Sequence, residues 1–400
     1  MPNIRPFNAL IPAAHLQGKV VTRPLENYSS EELKRLCSAN DYSFFHLINP
    51  ELENSALKGD CKKLLFKKIN QNLDHFLKQQ VLLTQEPPTL FIYRVTHDGL
   101  TQTGIWTITA ITDYLEGHIK KHENTVERLE KKLAEYLEQT RLDANPVLLT
   151  YTPNATIDRL IAAYINTAEL LNFELDNKSQ HQVWAVTTAA DLKQLINAFK
   201  EIPVVYIADG HHRIAAMAKL NRQTYFAAVY MNTHEVKVLP YNRMVTDLGE
   251  LTPSVFLVSI QEYFDLEEQT EAIIPAEMHE IGMYLDQKWY LLRPKKELYN
   301  ANDPVEVLDV NILHQFILEP ILDIKDPRRD VRITFCEGKI PVNQLQQQVD
   351  SGTHAVLFTL FAVTVAQIIA VADANGIMPP KSTWIEPKFP VGLITNQLTQ

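Results

Sequence analysis

Val204-Val205-Tyr206-Ile207-Ala208-Asp209-Gly210-His211-His212-Arg213 sets an acid, a glycine, two histidines and an arginine directly behind five apolar residues. An apolar run of that length with two valines reads as a short buried strand. Asp209-Gly210 is a turn dipeptide, and Ile214-Ala215-Ala216-Met217-Ala218-Lys219-Leu220 is rich in helix formers. Polar groups therefore collect where a strand hands over to a helix. Helix N-termini present unpaired N–H groups and partial positive charge, so an anion binds there readily. For a helix opening near Asp209, the apolar stripe through Ile214 and Met217 runs back onto Gly210 and His211. His211 is then the packed, orienting histidine, while Asp209, His212 and Arg213 share the working face. An N-cap aspartate with solvated first-turn residues is the competing reading. Capping alone does not call for two histidines and an arginine after a glycine.

The pattern around this junction places it in an α/β fold of mixed α+β character. Strands are expected at Val147–Tyr151, 183–186 and Tyr225–Met231, with helices Thr156–Leu171 and Ala189–Lys200 between them. Upstream, Leu90–Val95 and Gly104–Ile111 form a hairpin through His97-Asp98-Gly99. Ser29-Ser30-Glu31-Glu32 opens one helix, residues 62–82 form a second, and a long charged helix runs from Asp113 to Thr140. Downstream, residues 253–330 read as α+β material with a helix, a hairpin at Asp286-Gln287-Lys288 and a helix Val307–Leu318, followed by a strand Val356–Val363. A further helix opens at Thr364, where Thr364 and Gln367 have capping-box spacing. Gly376 is placed as that helix's C′ residue. Two regions follow: 1–250 carrying the Asp-Gly-His-His-Arg junction, and 251–400 carrying the Met378-Pro379-Pro380-Lys381-Ser382-Thr383 loop.

Composition narrows the function. The 400 residues are 46% hydrophobic and 22% charged, with a net charge of −10. That balance is ordinary for a globular chain and argues against a nucleic-acid partner, which would call for a basic footprint. Cys37, Cys61 and Cys336 form no CxxC pair, which fits a reducing compartment, read here as the cytoplasm. The longest apolar stretch, 355–372, is interrupted by Thr359, Thr364 and Gln367 and is expected in the core, so no membrane partner is expected. Twelve glycines without a GxGxxG leave a dinucleotide-binding loop unsupported. Arg243, expected at a strand exit, is either a surface charge or a second anion contact. Lys381-Ser382-Thr383 resembles the end of a phosphate loop, but Pro379 and Pro380 have no N–H to offer phosphate. There Lys381 acts as a side-chain charge or the loop is simply a rigid exit. His118 and His122, four apart on the expected long helix, are a weak metal pair.

These motifs taken together resemble the family known as domain of unknown function 1015. The resemblance is carried by Pro6-Phe7, His122-Glu123-Asn124-Thr125, His181 with Trp184, Ala208–Arg213, Leu239-Pro240-Tyr241-Asn242-Arg243, Leu308-Asp309-Val310 and Met378–Thr383 with Pro387-Lys388. It departs at Arg23-Pro24-Leu25-Glu26-Asn27, where the family has Pro-Pro-Tyr-Asp, so that Glu26 keeps an acid beside Leu25. The Asp-Gly-His-His-Arg block is also similar to the phosphate signature of the ParB and sulfiredoxin-like superfamily, which includes free serine kinases. That likeness implies such a core with α+β elaborations, and a nucleotide as the anion's bearer.

The expected function is a nucleotide-dependent phosphotransferase on a small hydroxylated metabolite, free serine being the example the resemblance supplies. ATP or ADP with Mg²⁺ would be the cofactor. Gly210, His211, Arg213, Arg243, Lys381, Ser382 and Thr383 are its expected contacts. Asp209 is the base or Mg²⁺ ligand, His212 a donor or proton relay, and Glu26 and Glu123 the spare acids. The alternatives are a non-catalytic nucleotide-binding or regulatory protein, and a metal-dependent hydrolase using Asp209, His211, His212 and His122. The partners are a small substrate and nucleotide, and a homo-oligomer is left open.

Overall fold

The computed structural model describes residues 1–49, 62–220 and 224–398. Cys61 lies outside them. The chain divides into two compact units, one of residues 1–120, 125–236 and 387–400, the other of 121–124 and 237–386. The main passage between them falls after Val236 where the sequence suggests 250, residues 121–124 belong to the second unit, and the last residues return to the first.

In the first unit, nine strands form a mixed sheet. Its order is Ile119–Lys120, Val205–Asp209, Val147–Tyr151, Tyr225–Asn232, Leu100–Ala110, Leu90–His97, Gln180–Val186, Leu171–Glu174, with Ile4–Arg5 paired to Leu100–Ala110. Val205–Asp209 runs antiparallel to Val147–Tyr151, which runs parallel to Tyr225–Asn232. The alternation of strands and helices seen in the sequence thus feeds a mixed sheet. Asp98 and Gly99, at φ of 49° and 75°, make the two-residue turn of the Leu90–His97 and Leu100–Ala110 hairpin, as twisted strands favour. Helices Ala155–Tyr164, Ala189–Lys200 and His211–Ala218 cover the sheet. Ile207, Ile214 and Phe199 pack with Tyr151 and Tyr230 in the core between them. A four-stranded sheet of Leu82–Thr84, Ala9–Pro12, Thr395–Gln397 and Leu142–Asp143 completes the unit.

Three expected helices are cut short there. The charged helix expected over 113–140 is broken into Ile111–Leu115 and Glu127–Thr140. Between them Gly117 takes φ of 79° and Ile119 pairs with Val205, because burying Ile119 in the sheet outweighs local helix propensity. No helix therefore carries both His118 and His122. The helix expected to reach Leu171 ends at Tyr164, and Leu171–Glu174 joins the sheet instead. Residues 62–82 split into helix Lys62–Lys78 and strand Leu82–Thr84.

In the second unit six strands form an antiparallel sheet, in the order Phe264–Gln269, Lys288–Pro294, Ile281–Leu285, Val356–Leu360, Tyr241–Val245, Ile333–Glu337. Asp286 and Gln287, at φ of 47° and 61°, form the expected hairpin turn. The Thr364–Gln367 capping box is present, as is one at Ser29–Glu32 in the first unit. At the far end of helix Val365–Asp373 the left-handed residue is Asn375, φ 53°, in place of Gly376. Gly376 N–H then bonds Val371 O at 2.8 Å and Asn375 N–H bonds Ala372 O at 3.2 Å, a Schellman closure. A Cβ on Gly376 would meet Val305 at 2.8 Å, so its glycine answers to packing. The helix expected over 307–318 is α only for Asp309–Leu313 and widens to a π turn over His314–Leu318.

Candidate functional site

The candidate site is built where strand Val205–Asp209 meets helix His211–Ala218. Ile207 pairs with Leu149 and Asp209 with Leu148, so Ala208 is a bulge that re-aims the end of the strand. Gly210, the N-cap, has φ of 103° and no side chain to cap the helix. The N-cap is therefore Gly210, and Asp209 is the last residue of the strand. Glycine is required there twice over. The left-handed φ disfavours a side chain, and a Cβ would lie 3.0 Å from Arg213 Nε and 3.1 Å from its Cζ. The guanidinium is folded back over the Gly210 α-carbon.

Arg213 Nη2 donates to Asp209 Oδ2 at 2.6 Å, and Nη1 donates to Asn145 Oδ1 at 2.6 Å and to Pro146 O. Of the five guanidinium N–H groups, Nε–H and one on Nη2 are left for an anion. Lys388 Nζ stands 3.3 Å from Asp209 Oδ1, so both carboxylate oxygens are taken by cations. Burial pushes the Asp209 carboxyl up, but Lys388 and Arg213 outweigh it and hold it well below the usual carboxylate range. The two cations converge on one carboxylate beside the positive end of a helix that no side chain caps. Beneath lies Asp143, which accepts from Ala227 N–H at 2.6 Å. Burial raises its pKa to about 7, against the Ala227 and Asn396 bonds and the field of Arg213.

The other expected residues are placed as follows. His211 is buried, as helical phase indicated. His212 Nδ1 accepts from Val126 N–H at 3.3 Å, and its charge bears on Glu130, which pairs with Lys219. Glu26 is exposed in a short turn of helix, Leu25–Asn27. Glu123, Arg243, Lys381, Ser382 and Thr383 belong to the second unit. There Arg243 sits in mid-strand, paired across to both Phe335 and Phe358, and is 3% exposed. The polar strand tip expected from sequence is an interior position. Its Nη2 donates to Lys381 O at 2.9 Å and Nη1 to Tyr241 O, and burial lowers its pKa to about 10. Lys381 is exposed with φ of 57°, and the buried Ser382 hydroxyl donates to Pro379 O at 2.6 Å.

Among the described residues, no three His, Cys, Asp or Glu side chains are grouped to hold a metal ion. The four-ligand set expected for a metal hydrolase is not assembled: His122 is buried in a loop of the second unit, and Asp209 already faces two cations. No helix among those residues is long and apolar enough to cross a membrane. Sequence reasoning passed over Lys388 and Asn145 as contacts. Lys388 lies 179 residues from Asp209, and its only signal was the Pro387-Lys388 dipeptide in the resemblance.

Fold and site define a mixed α+β protein with a glycine-opened, cation-rich strand–helix junction. The chain belongs to the family described as protein of unknown function (DUF1015), which it matches over residues 4–311. A search of curated proteins found no match. Among solved structures it is similar to a free serine kinase in complex with AMP, at 16% identity and a TM-score of 0.38, covering 72% of this chain and 92% of that one. A conserved hypothetical protein from Pyrococcus furiosus is similar at 16% identity and a TM-score of 0.37, covering 72% and 95%. So is C-terminally truncated SbnI from Staphylococcus aureus, at 13% identity and 0.38, covering 70% and 82%. At these values the backbone paths diverge, and no role of the neighbours passes to this chain on their strength.

Proposed function

We propose that the chain is a nucleotide-dependent phosphotransferase acting on a small hydroxylated metabolite, with the nucleotide's phosphate held at the Gly210–Arg213 junction. One observation carries the reading. Asp209 fixes Arg213 and Lys388 while Nε–H and one N–H on Nη2 of Arg213 remain for an anion, next to a helix N-terminus that no side chain caps. A guanidinium edge with two parallel N–H groups matches two phosphate oxygens. Phosphoryl transfer asks a protein mainly for positioning and charge neutralisation, and this junction offers both. Asp209 acts as the strut that aims the cations. Mg²⁺ would arrive on the nucleotide's phosphates, since this cation keeps waters and is bound largely through substrate oxygens. The acceptor class, of which free serine is the example to try first, rests on the resemblance alone.

The test is calorimetric binding of ATP and ADP with Mg²⁺, followed by turnover with a panel of hydroxylated amino acids and hydroxy acids. Binding that weakens about tenfold or more in Lys388→Ala and Arg213→Lys is expected, each substitution removing a charge contact or a bidentate edge. Nucleotide binding without turnover on any acceptor would favour a regulatory nucleotide-binding protein. Absence of nucleotide binding by the folded wild type would end the reading.

A further inference from the structure

Lys388 reaches Asp209 from a stretch of chain that no secondary structure holds. Pro387-Lys388-Phe389-Pro390 belongs to no helix or strand, and it follows directly on the passage back into the first unit after Glu386. A lysine carries a flexible stem, and on an unfixed backbone much of its pull on a phosphate would be lost to the entropy of ordering it. We propose that Phe389 is a positioning residue of the junction: its ring, clasped by Tyr93 and Trp106, fixes the backbone from which Lys388 meets Asp209 and the phosphate. The phosphate part of this rests on the phosphotransferase reading, whereas the placement of the lysine does not.

The local sequence prepares the arrangement. Proline fixes its own φ and drives the residue before it into extended backbone. Pro387 and Pro390 therefore stiffen both ends, and Phe389 is held extended. Successive side chains point opposite ways along extended chain, so one of the pair can be buried while its neighbour stands at the site. Phe389 is 4% exposed, and the Lys388 side chain keeps 20% with its Nζ 3.3 Å from Asp209 Oδ1.

The clasp is a closed aromatic triad. The Phe389 ring centroid lies 5.8 Å from that of Tyr93 and 5.6 Å from that of Trp106, at interplanar angles of 66° and 57°. Tyr93 and Trp106 meet edge to face at 5.6 Å. Such contacts are directional as well as apolar. Tyr93 is itself locked, because its hydroxyl shares a hydrogen bond of 2.8 Å with His181 Nδ1. The His181 ring stands between Tyr93 and Phe173 and is stacked at 22° on each, with Nε2 2.7 Å from Ser179 Oγ. Burial keeps this imidazole neutral, its pKa lowered to about 3. Beyond Phe389 the chain is tied again, Val391 and Thr22 exchanging backbone hydrogen bonds of 2.8 and 3.1 Å. The position of Lys388 is thus set from the core side, through Phe389, Tyr93 and His181.

The full chain should be treated with limiting acetic anhydride and the acetylation of each lysine followed by mass spectrometry, with binding of ADP and Mg²⁺ measured by calorimetry on the same proteins. Phe389→Ala is expected to raise the acetylation rate of Lys388 about threefold or more while Lys131 and Lys193 keep theirs, a local release and not a general loosening. Phe389→Met, which refills the space with a side chain suited to aromatic neighbours, should restore the wild-type rate. ADP binding should fall about tenfold in Phe389→Ala, as in Lys388→Ala, and no further when the two are combined. If Phe389→Ala does not fold, Phe389→Val is read in the same way. An unchanged Lys388 rate, a rise shared by all lysines, no rescue by Phe389→Met, or losses that multiply in the double variant would each overturn the assignment. A folded wild type that binds no nucleotide would end the phosphotransferase reading instead, and the acetylation rates then decide the placement of Lys388 by themselves.

Discussion

Asp209→Asn removes the charge on which Arg213 and Lys388 converge while keeping shape and volume. In the wild type the carboxylate is 32% exposed and each cation 20%, with contacts of 2.6 and 3.3 Å. Breaking a fully buried pair costs about 3–5 kcal/mol, whereas an exposed one contributes at most about 1 kcal/mol. This half-buried triad lies between, so a loss of about 2 kcal/mol near neutral pH is expected. The pH dependence checks the cause. The folded carboxyl is held well below its unfolded value. Its contribution is therefore fully present above the unfolded pKa of about 4 and is lost as pH falls through the folded pKa. The gap between wild type and Asp209→Asn, measured by urea unfolding with circular dichroism, should be constant above about pH 5 and close in strong acid. The substitution also removes the strut that aims Arg213 and Lys388, so inorganic phosphate should bind the folded variant more weakly than the wild type. A stability loss below about 0.5 kcal/mol, a gap that does not change in acid, or phosphate binding as tight as the wild type's would refute the strut argument.

Gly210→Ala places a Cβ 3.0 Å from Arg213 Nε at a φ of 103°. A cost of about 1–3 kcal/mol and weakened nucleotide binding are expected together, read from urea unfolding and calorimetry. Asp143→Asn runs the other way. Its pKa is raised to about 7 by burial, so the native state binds the proton more tightly than the unfolded chain, and the wild type loses stability as pH rises from about 4 to 7. The variant should lack that slope and be the more stable protein by a few kcal/mol at about pH 8, as thermal unfolding across that range will show. A wild-type profile flat from acid to neutral would contradict it.

How much was legible follows from the distance over which each cause acts. The Ser29–Glu32 and Thr364–Gln367 boxes, and the Asp98-Gly99 and Asp286-Gln287 turns, are settled by residues within three or four positions of one another. Steric and hydrogen-bond rules at that range are properties of the sequence itself. The inward phase of His211 belongs with them, since a helix repeats the same geometry whatever it packs against. Failures arose where a distant partner outweighed the local preference. Ile119 left a helix-forming context to pair with Val205, and Leu171 left one to pair with Val183. Arg243 looked like a strand tip, but the neighbouring strands carrying Phe335 and Phe358 enclose it.

The Val204–Arg213 stretch divides along the same line. The sequence by itself determined a strand, a glycine turn and a helix whose positive end stands ready for an anion, because those follow from side-chain size, φ preference and the peptide dipole. It also contained every residue of the site. Only the tertiary structure decided that the guanidinium of Arg213 folds over Gly210 to reach Asn145, and that Lys388, 179 residues away, closes on the far oxygen of Asp209. Ion pairs of that separation are made by sheet order and by the return of the C-terminal segment to the first unit, and neither leaves a period or a spacing in the chain.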